Sequence, residues 1–126
     1  MASVRKIQVT FDCTNPENVS RFWCQVLGYV TPATDDSDFS CSDPSGVGPR
    51  LYFQQVPESK VVKNRLHLDV RVGTGLVGPE RVAALEAESA RLVEIGAVRV
   101  RLLPADDLNE SCLVMQDVEG NEFCLD

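Results

Sequence analysis

Strict alternation of apolar and polar residues marks two stretches of the chain as β-strands. In residues 7–12, aliphatic or aromatic residues alternate with polar ones, and in residues 66–72, leucine and valine alternate with His67, Asp69 and Arg71. Neighbouring residues in a strand point to opposite faces of the sheet. Each stretch therefore predicts a half-buried strand with one apolar face and one polar face.

Apolar residues spaced three and four apart predict two helices, within residues 15–30 and 78–100. We expect the aromatic residues of the first helix to pack in the core rather than to form a stacking surface for a ligand. The positions expected to face the core are Val19, Phe22, Trp23, Val26 and Leu27 in the first helix and Val82, Leu85, Ser89, Leu92 and Val93 in the second.

The ends of both helices carry recognisable signals. Pro16 and Pro79 fall in the first turns, where a missing N–H costs no hydrogen bond. Asn15 is the expected N-cap of the first helix. Gly28 and Gly96 are expected to end the helices in the left-handed conformation, which glycine adopts without strain.

The same order of predicted elements occurs twice along the chain: a strand, a helix, then about three short strands. Matching turns support the repeat, since "DPSG" (43–46) and "DVEG" (117–120) both begin with Asp and end with Gly. The chain of 126 residues therefore reads as one domain of two modules, about 1–60 and about 61–126.

Overlaying the modules relates four strand positions. Residues 7–9 fall on 66–68, and residues 52–54 fall on 122–124. Two half-sheets that curl towards each other would bring the related polar positions together around a cleft. Those positions are Gln8, Gln54, His67 and Cys124.

Charge and composition limit the kinds of partner that we expect this protein to bind. A formal net charge of −7 with no basic cluster argues against nucleic acid. No apolar run is long enough to cross a membrane and no signal peptide is recognisable, so we expect a cytoplasmic protein without a membrane partner. Five scattered cysteines without a CxxC pair predict reduced thiols rather than disulfides or a structural zinc site.

Three stretches of the sequence resemble the vicinal oxygen chelate superfamily of glyoxalase I, bleomycin-resistance proteins and extradiol dioxygenases. They are "FDCTNPENVSRFWCQVLGY", "LYFQQVPESKVVKNRLHLDVRV" and "DVEGNEFCLD", and they look most similar to small bacterial glyoxalase-like proteins. The resemblance implies an α+β fold with two βαβββ modules forming a partly open, barrel-like sheet around a small-molecule cavity. It also implies a homodimer.

In the metal-dependent members of that superfamily, four strand positions hold a divalent ion. Carried over, these positions fall on Gln8, on Gln54 or its neighbour Gln55, on His67, and on Cys124 in place of the usual glutamate. Amide oxygens are weak ligands for zinc, nickel or iron. We therefore expect no bound cofactor, and these four residues as ligands if a divalent metal is bound.

His67 is the only histidine, and it has two readings: the polar side of a half-buried strand, or a group that faces the cavity. In the second reading the chain is a lyase or isomerase with His67 as catalytic base. The alternatives are a non-enzymatic drug or metabolite binder and an interaction module with a vestigial cavity. The expected ligand-binding residues are Gln8, Thr10, Gln54, His67, Asp69 and Cys124.

Three other features favour structural roles. Arg99 and Arg101 are expected on one water-exposed strand face, and Cys124 is expected to be an inert buried thiol rather than a nucleophile. The acidic run at 34–40 lacks the glycine and terminal glutamate of a calcium loop, so it reads as a solvated loop.

Overall fold

The computed structural model describes residues 2–32 and 39–126, so most of the acidic run at 34–40 lies outside the described residues. The chain divides into two compact units, Met1–Ser59 and Lys60–Asp126, and each is described by itself. No helix in the described ranges is long and apolar enough to cross a membrane.

The first unit contains a three-stranded sheet and one helix. The strand β1 pairs in parallel with β3, which pairs antiparallel with β2, so the sheet order is β1-β3-β2. The first of the three strands expected after the helix is reduced to a single bridge between Val30 and Ser42. The elements are β1 (Gln8–Cys13), α1 (Pro16–Leu27), β2 (Ser40–Cys41) and β3 (Arg50–Gln55).

The second unit contains a complete strand–helix–three-strand module. Its sheet has the order β4-β7-β6-β5, in which β4 runs parallel to β7 and the other pairs are antiparallel. The elements are β4 (Asp69–Val70), α2 (Gly78–Glu94), β5 (Val98–Leu103), β6 (Cys112–Gln116) and β7 (Glu122–Leu125).

Helix α1 forms where its sequence predicts it. The Asn15 side chain accepts a hydrogen bond from the backbone N–H of Asn18 at 3.1 Å, and Gly28 ends the helix at a φ of 68°. Four of the five predicted core residues are buried and Leu27 is half-buried, which confirms the packing face. Phe22 and Trp23 are core residues, as predicted.

Helix α2 buries Leu85, Ser89 and Leu92 as predicted, but the edges of its buried face differ from the prediction. Arg81 is only 7% exposed, whereas Val93 is 45% exposed and Val82 is half-buried. The guanidinium of Arg81 donates to the backbone oxygens of Ser111, at 3.0 Å, and Gly73, at 2.9 Å. These bonds compensate the burial of its charge. The prediction that Val93 faces the core was wrong, because its side chain is exposed.

The predicted strand at 66–72 is shorter than its alternation suggested. Only Asp69–Val70 is a strand, and Leu66 is 88% exposed rather than on an apolar face. The side-chain oxygen of Asn64 accepts the backbone N–H of Glu122 at 2.7 Å, a bond that a longer β4 would have made with its own backbone. His67 therefore precedes the strand.

Strand β5 contains a bulge that separates its two arginines. Arg99 pairs with Met115 and Arg101 with the next residue, Val114, so the two side chains point to opposite faces. Arg99 lies on the helix side, where it forms an ion pair with Glu86 at 2.8 Å. The prediction that both arginines share one face was wrong.

The pairing of strands within each sheet helps to identify which residues of the two units occupy equivalent positions. Gly46 and Gly120 close the two predicted turns, donating to Asp43 and Asp117. Thr10 pairs with Tyr52, and Asp69 pairs with Cys124.

With Gln8 placed on His67, as in the overlay, these registers place Tyr52 on Cys124. The overlay of Gln54 on Cys124 was wrong by two residues.

Candidate active site

Three predicted site residues come together in the second unit. One donor atom from each of His67, Asp69 and Cys124 lies within 4.8 Å of the other two. The Nε2 atom of His67 lies 3.1 Å from Oδ1 of Asp69, and Asp69 pairs with Cys124 in the sheet register. The side chains of His67 and Asp69 are 44% and 46% exposed, so a small molecule can reach them.

Asn64 positions the segment that carries His67. Its side-chain oxygen accepts the N–H of Glu122, and its backbone N–H donates to the Glu122 carboxylate at 3.0 Å. Its amide nitrogen donates to the backbone oxygens of Leu66 and Glu122. The side chain of Asn64 therefore joins residues 64–66 to the start of β7 and fixes the backbone just before His67.

Glu122 is held as a carboxylate. Burial raises its pKa, but hydrogen bonds from Asn64, Lys60 and Gln116 outweigh this and lower the pKa to about 2. The ammonium of Lys60 lies 3.0 Å from Oε2 of Glu122, and both side chains are mostly buried. The negative charge therefore stays on Glu122 across the neutral range and anchors the chain at residues 60–64.

The Cys124 thiol is held in its protonated form. Burial raises its pKa to about 11, and interactions with Cys112 and the carboxylates of Asp69 and Asp126 add to the effect. A protonated thiol is a poor nucleophile at neutral pH. This environment agrees with the expectation of an inert thiol.

The donor set of this cluster fits a divalent ion of the zinc type. Imidazole, carboxylate and thiolate are zinc ligands, and three protein ligands leave one position for a substrate or water. The raised pKa of Cys124 opposes binding, because the thiol must lose its proton to become a ligand. Asp69 belongs to this set, which the predicted ligands did not include.

The other two predicted metal ligands do not converge within the first unit. Gln8 pairs with Arg50, and Gln54 pairs with Asp12, so four residues of strand separate the two glutamines. That separation is about 13 Å along an extended strand. Beside Thr10 the sheet places Tyr52 instead.

The amide of Gln8 is already engaged. Its oxygen accepts from Nη1 of Arg50 at 2.6 Å, and its nitrogen donates to Oγ1 of Thr10 at 3.3 Å. These bonds orient the amide along the polar face of β1 and β3. Gln8 and Thr10 therefore form one polar surface with Arg50.

Sequence reasoning missed the residues that position the site: Lys60, Asn64 and Glu122. Glu122 gave one signal, because it is a charged residue at the start of an otherwise apolar strand. Asn64 gave none, since its partners lie 58 residues further along the chain.

Solved structures share this fold at low sequence identity. A mutant of the fosfomycin resistance protein FosX from Listeria monocytogenes, complexed with Mn(II) and 1S,2S-dihydroxypropylphosphonic acid, matches with a TM-score of 0.72 at 11% identity, covering 99% of this chain and 90% of that chain. FosX from Mesorhizobium loti matches with a TM-score of 0.68 at 12% identity, covering 98% and 92%.

A third neighbour is a glyoxalase/bleomycin resistance protein/dioxygenase family enzyme from Burkholderia phytofirmans. It matches with a TM-score of 0.67 at 15% identity and covers 94% of each chain. At these identities the likeness shows the fold alone, and it confirms the predicted α+β class.

Sequence comparisons give the family. No curated protein sequence matches the chain. The model of the glyoxalase-like domain matches residues 8–125, which is nearly the whole sequence. The chain therefore belongs to the glyoxalase-like domain family, within the vicinal oxygen chelate superfamily.

Proposed function

We propose that this protein is a glyoxalase-like lyase or isomerase that moves a proton on a small oxygenated molecule. The observation that carries the proposal is the pair of His67 and Asp69, 3.1 Å apart and open to solvent. An imidazole held by a carboxylate is a common arrangement for general acid–base catalysis near neutral pH.

The contact with Asp69 gives the two ring nitrogens of His67 different roles. Nε2 of His67 faces the carboxylate of Asp69 at 3.1 Å, which leaves Nδ1 as the atom that accepts a proton from the substrate. Asp69 then stabilises the imidazolium that forms. The same Nδ1 returns the proton to a different atom of the substrate in an isomerase, or to the leaving group in a lyase.

A bound divalent ion would change the role of His67. When bound by His67, Asp69 and Cys124, such an ion supplies positive charge that stabilises negative charge on substrate oxygens. The imidazole would then be a ligand and would no longer accept a proton. The raised pKa of Cys124 favours the metal-free role.

The substrate class and assembly are part of the same proposal. The fold neighbour from Listeria was solved with a dihydroxypropylphosphonic acid, a small oxygenated compound. We propose a ligand of comparable size, a homodimer, a cytoplasmic location, and no nucleic-acid or membrane partner. The net charge of −7 supports the exclusion of nucleic acid.

A second candidate is a non-enzymatic binder of a drug or metabolite. The protonated state of Cys124 and the engaged amide of Gln8 favour it, because neither group activates a substrate. A binder would bind its ligand saturably and leave it chemically unchanged.

Proton exchange in D₂O tests the proposal directly. A panel of small α-hydroxyketones is incubated with wild type, with His67→Gln, and with Leu66→Ala, a neighbouring residue that is 88% exposed. Exchange catalysed by wild type and Leu66→Ala but lost in His67→Gln supports the enzyme. Saturable binding without exchange in any variant supports the binder.

Elemental analysis of untagged protein, purified without chelator, separates the two roles of His67. We expect no stoichiometric transition metal in wild type. Near-stoichiometric zinc that disappears in His67→Ala and Cys124→Ser would overturn the general-base role and assign all three side chains to a metal centre.

A further inference from the structure

An open cleft in the first unit lies between the start of β1 and the loop that joins β2 to β3. Its volume is about 520 Å³, within the range of small-molecule sites. None of the residues that line it belongs to the cluster of His67, Asp69 and Cys124. The charged and aliphatic side chains that line it include Arg5, Lys6, Ile7, Asp43, Val47 and Arg50.

The charge of the cleft is opposite to that of the chain. Among the described residues that line it, Arg5, Lys6 and Arg50 stand against the single carboxylate of Asp43, in a protein with a net charge of −7. Three cations at one concave surface concentrate positive potential there. The cleft therefore attracts anions while the chain as a whole repels them.

The carboxylate of Asp43 already accepts hydrogen bonds within the loop. Asp43 accepts hydrogen bonds from the hydroxyl of Ser45 at 2.7 Å, the N–H of Ser45 at 2.8 Å and the N–H of Gly48 at 2.7 Å. The Ser45 hydroxyl and these N–H groups lower the pKa of Asp43. The carboxylate therefore stays charged, and three cations against one carboxylate leave these four residues with a formal net charge of +2.

Contacts within the protein hold the guanidinium of Arg50 in one orientation before any ligand binds. It donates to the side-chain oxygen of Gln8 at 2.6 Å, and its Cζ lies 5.4 Å from the ring centre of Tyr52. Arg5 and Lys6 are exposed, and neither forms an ion pair with any residue in the ranges 2–32 and 39–126. Both can turn towards a bound anion.

The cleft also offers an apolar surface. Ile7 is 71% exposed and Val47 is 89% exposed, and both line the same cleft. Exposed aliphatic side chains beside a cluster of cations suit a ligand that has an apolar body and an acidic group. An inorganic ion alone would leave Ile7 and Val47 in water.

We propose that this cleft binds a small organic anion. A carboxylate or phosphate group contacts Arg5, Lys6 and Arg50, and the apolar part of the ligand covers Ile7 and Val47. This binding site is additional to the proposed acid–base chemistry and does not depend on His67.

Calorimetric titration with three aromatic probes tests the chemistry of the site. Phenyl phosphate and benzoate carry the acidic group, and benzyl alcohol is the uncharged control. We expect both anions to bind and benzyl alcohol not to bind, with the affinity falling as salt is added. The stronger of the two anions identifies the phosphate or carboxylate source.

A double variant tests the location. Arg5→Gln/Lys6→Gln is expected to weaken anion binding about 3- to 10-fold. Lys63→Gln, an exposed lysine in the second unit, should leave binding unchanged. Unchanged affinity in the double variant, equal binding of benzyl alcohol, or no anion binding at millimolar concentration would each overturn the proposal.

His67→Ala keeps this test separate from the proposed function. The variant is expected to bind phenyl phosphate as wild type does, because His67 does not line the cleft. Loss of anion binding in His67→Ala would show that the anion binds at the cluster, and the cleft would then have no role of its own.

Discussion

Each unit contains a parallel pair of strands, and the polar side chains at these pairs differ in chemistry. The positions of His67, Asp69 and Cys124 in the second unit are held in the first unit by an amide, a hydroxyl and a phenol. An imidazole beside a carboxylate can transfer a proton, whereas the first-unit groups offer only hydrogen bonds. The first-unit residues are Gln8, Thr10 and Tyr52.

A second pair of equivalent positions extends the comparison. Arg50 in the first unit and Glu122 in the second unit both begin the strand that follows the turn. Arg50 donates to Gln8 on the polar face, while Glu122 anchors Lys60 and Asn64. The duplicated scaffold thus keeps its register, and its two copies have acquired opposite charge at this point.

The largest expected effect is on activity. His67→Gln should reduce proton exchange at least 100-fold, because the variant has no group that accepts a proton at neutral pH. Gln8→Ala, the equivalent change in the first unit, should alter the rate less than about 3-fold. Initial rates from NMR in D₂O measure both, and equal losses would contradict the assignment of the chemistry to one unit.

The second-largest effect is expected on stability, at Asn64, whose side chain joins residues 64–66 to β7. Asn64→Ala removes hydrogen bonds to Glu122 and Leu66 and should lower the free energy of unfolding by about 3 kcal/mol. Urea titration of Asn64→Ala beside Arg65→Ala, an exposed neighbour, measures it. A loss below about 1 kcal/mol would show that the segment is held by other contacts.

Acid should weaken the second unit through Glu122. Its pKa is about 2 in the folded protein, below the ordinary value of 4.5, so the folded state favours the charged form. The stability from this group is present above the unfolded pKa and is lost as the pH falls through the folded pKa. We expect a loss of about 2 kcal/mol between pH 5 and pH 2, since partial exposure reduces the effect.

Glu122→Gln should remove this part of the pH dependence, and Arg50→Gln should leave it intact. Urea titrations of all three proteins across this pH range provide the measurement. A Glu122→Gln variant that loses stability as steeply as wild type would assign the acid sensitivity to other carboxylates.

The smallest expected difference lies between the two equivalent turns. Asp117 is 2% exposed and accepts from the N–H groups of Glu119 and Asn121 and the side chain of Asn121. Asp43 makes similar bonds at a more open turn. By thermal unfolding, Asp117→Ala should cost about 2 kcal/mol and Asp43→Ala should cost less. The reverse order would contradict the difference in burial.

Local signals in the sequence determined helix α1, the two aspartate–glycine turns and the alternating faces of β1. Caps, helical spacing and alternation each act over a few residues, so they can be recognised without knowing the rest of the fold. The family resemblance, which also depends on short motifs, gave the α+β class that the structural neighbours confirm.

Tertiary structure alone decided the details that define the site. A register shift of two residues preserves the alternation of a strand, so the pattern could not distinguish Gln54 from Tyr52 as the first-unit equivalent of Cys124. The burial of Arg81 and the role of Asn64 depend on backbone groups distant in sequence. Such partners become neighbours only on folding, because the sheet brings together strands that the sequence keeps apart.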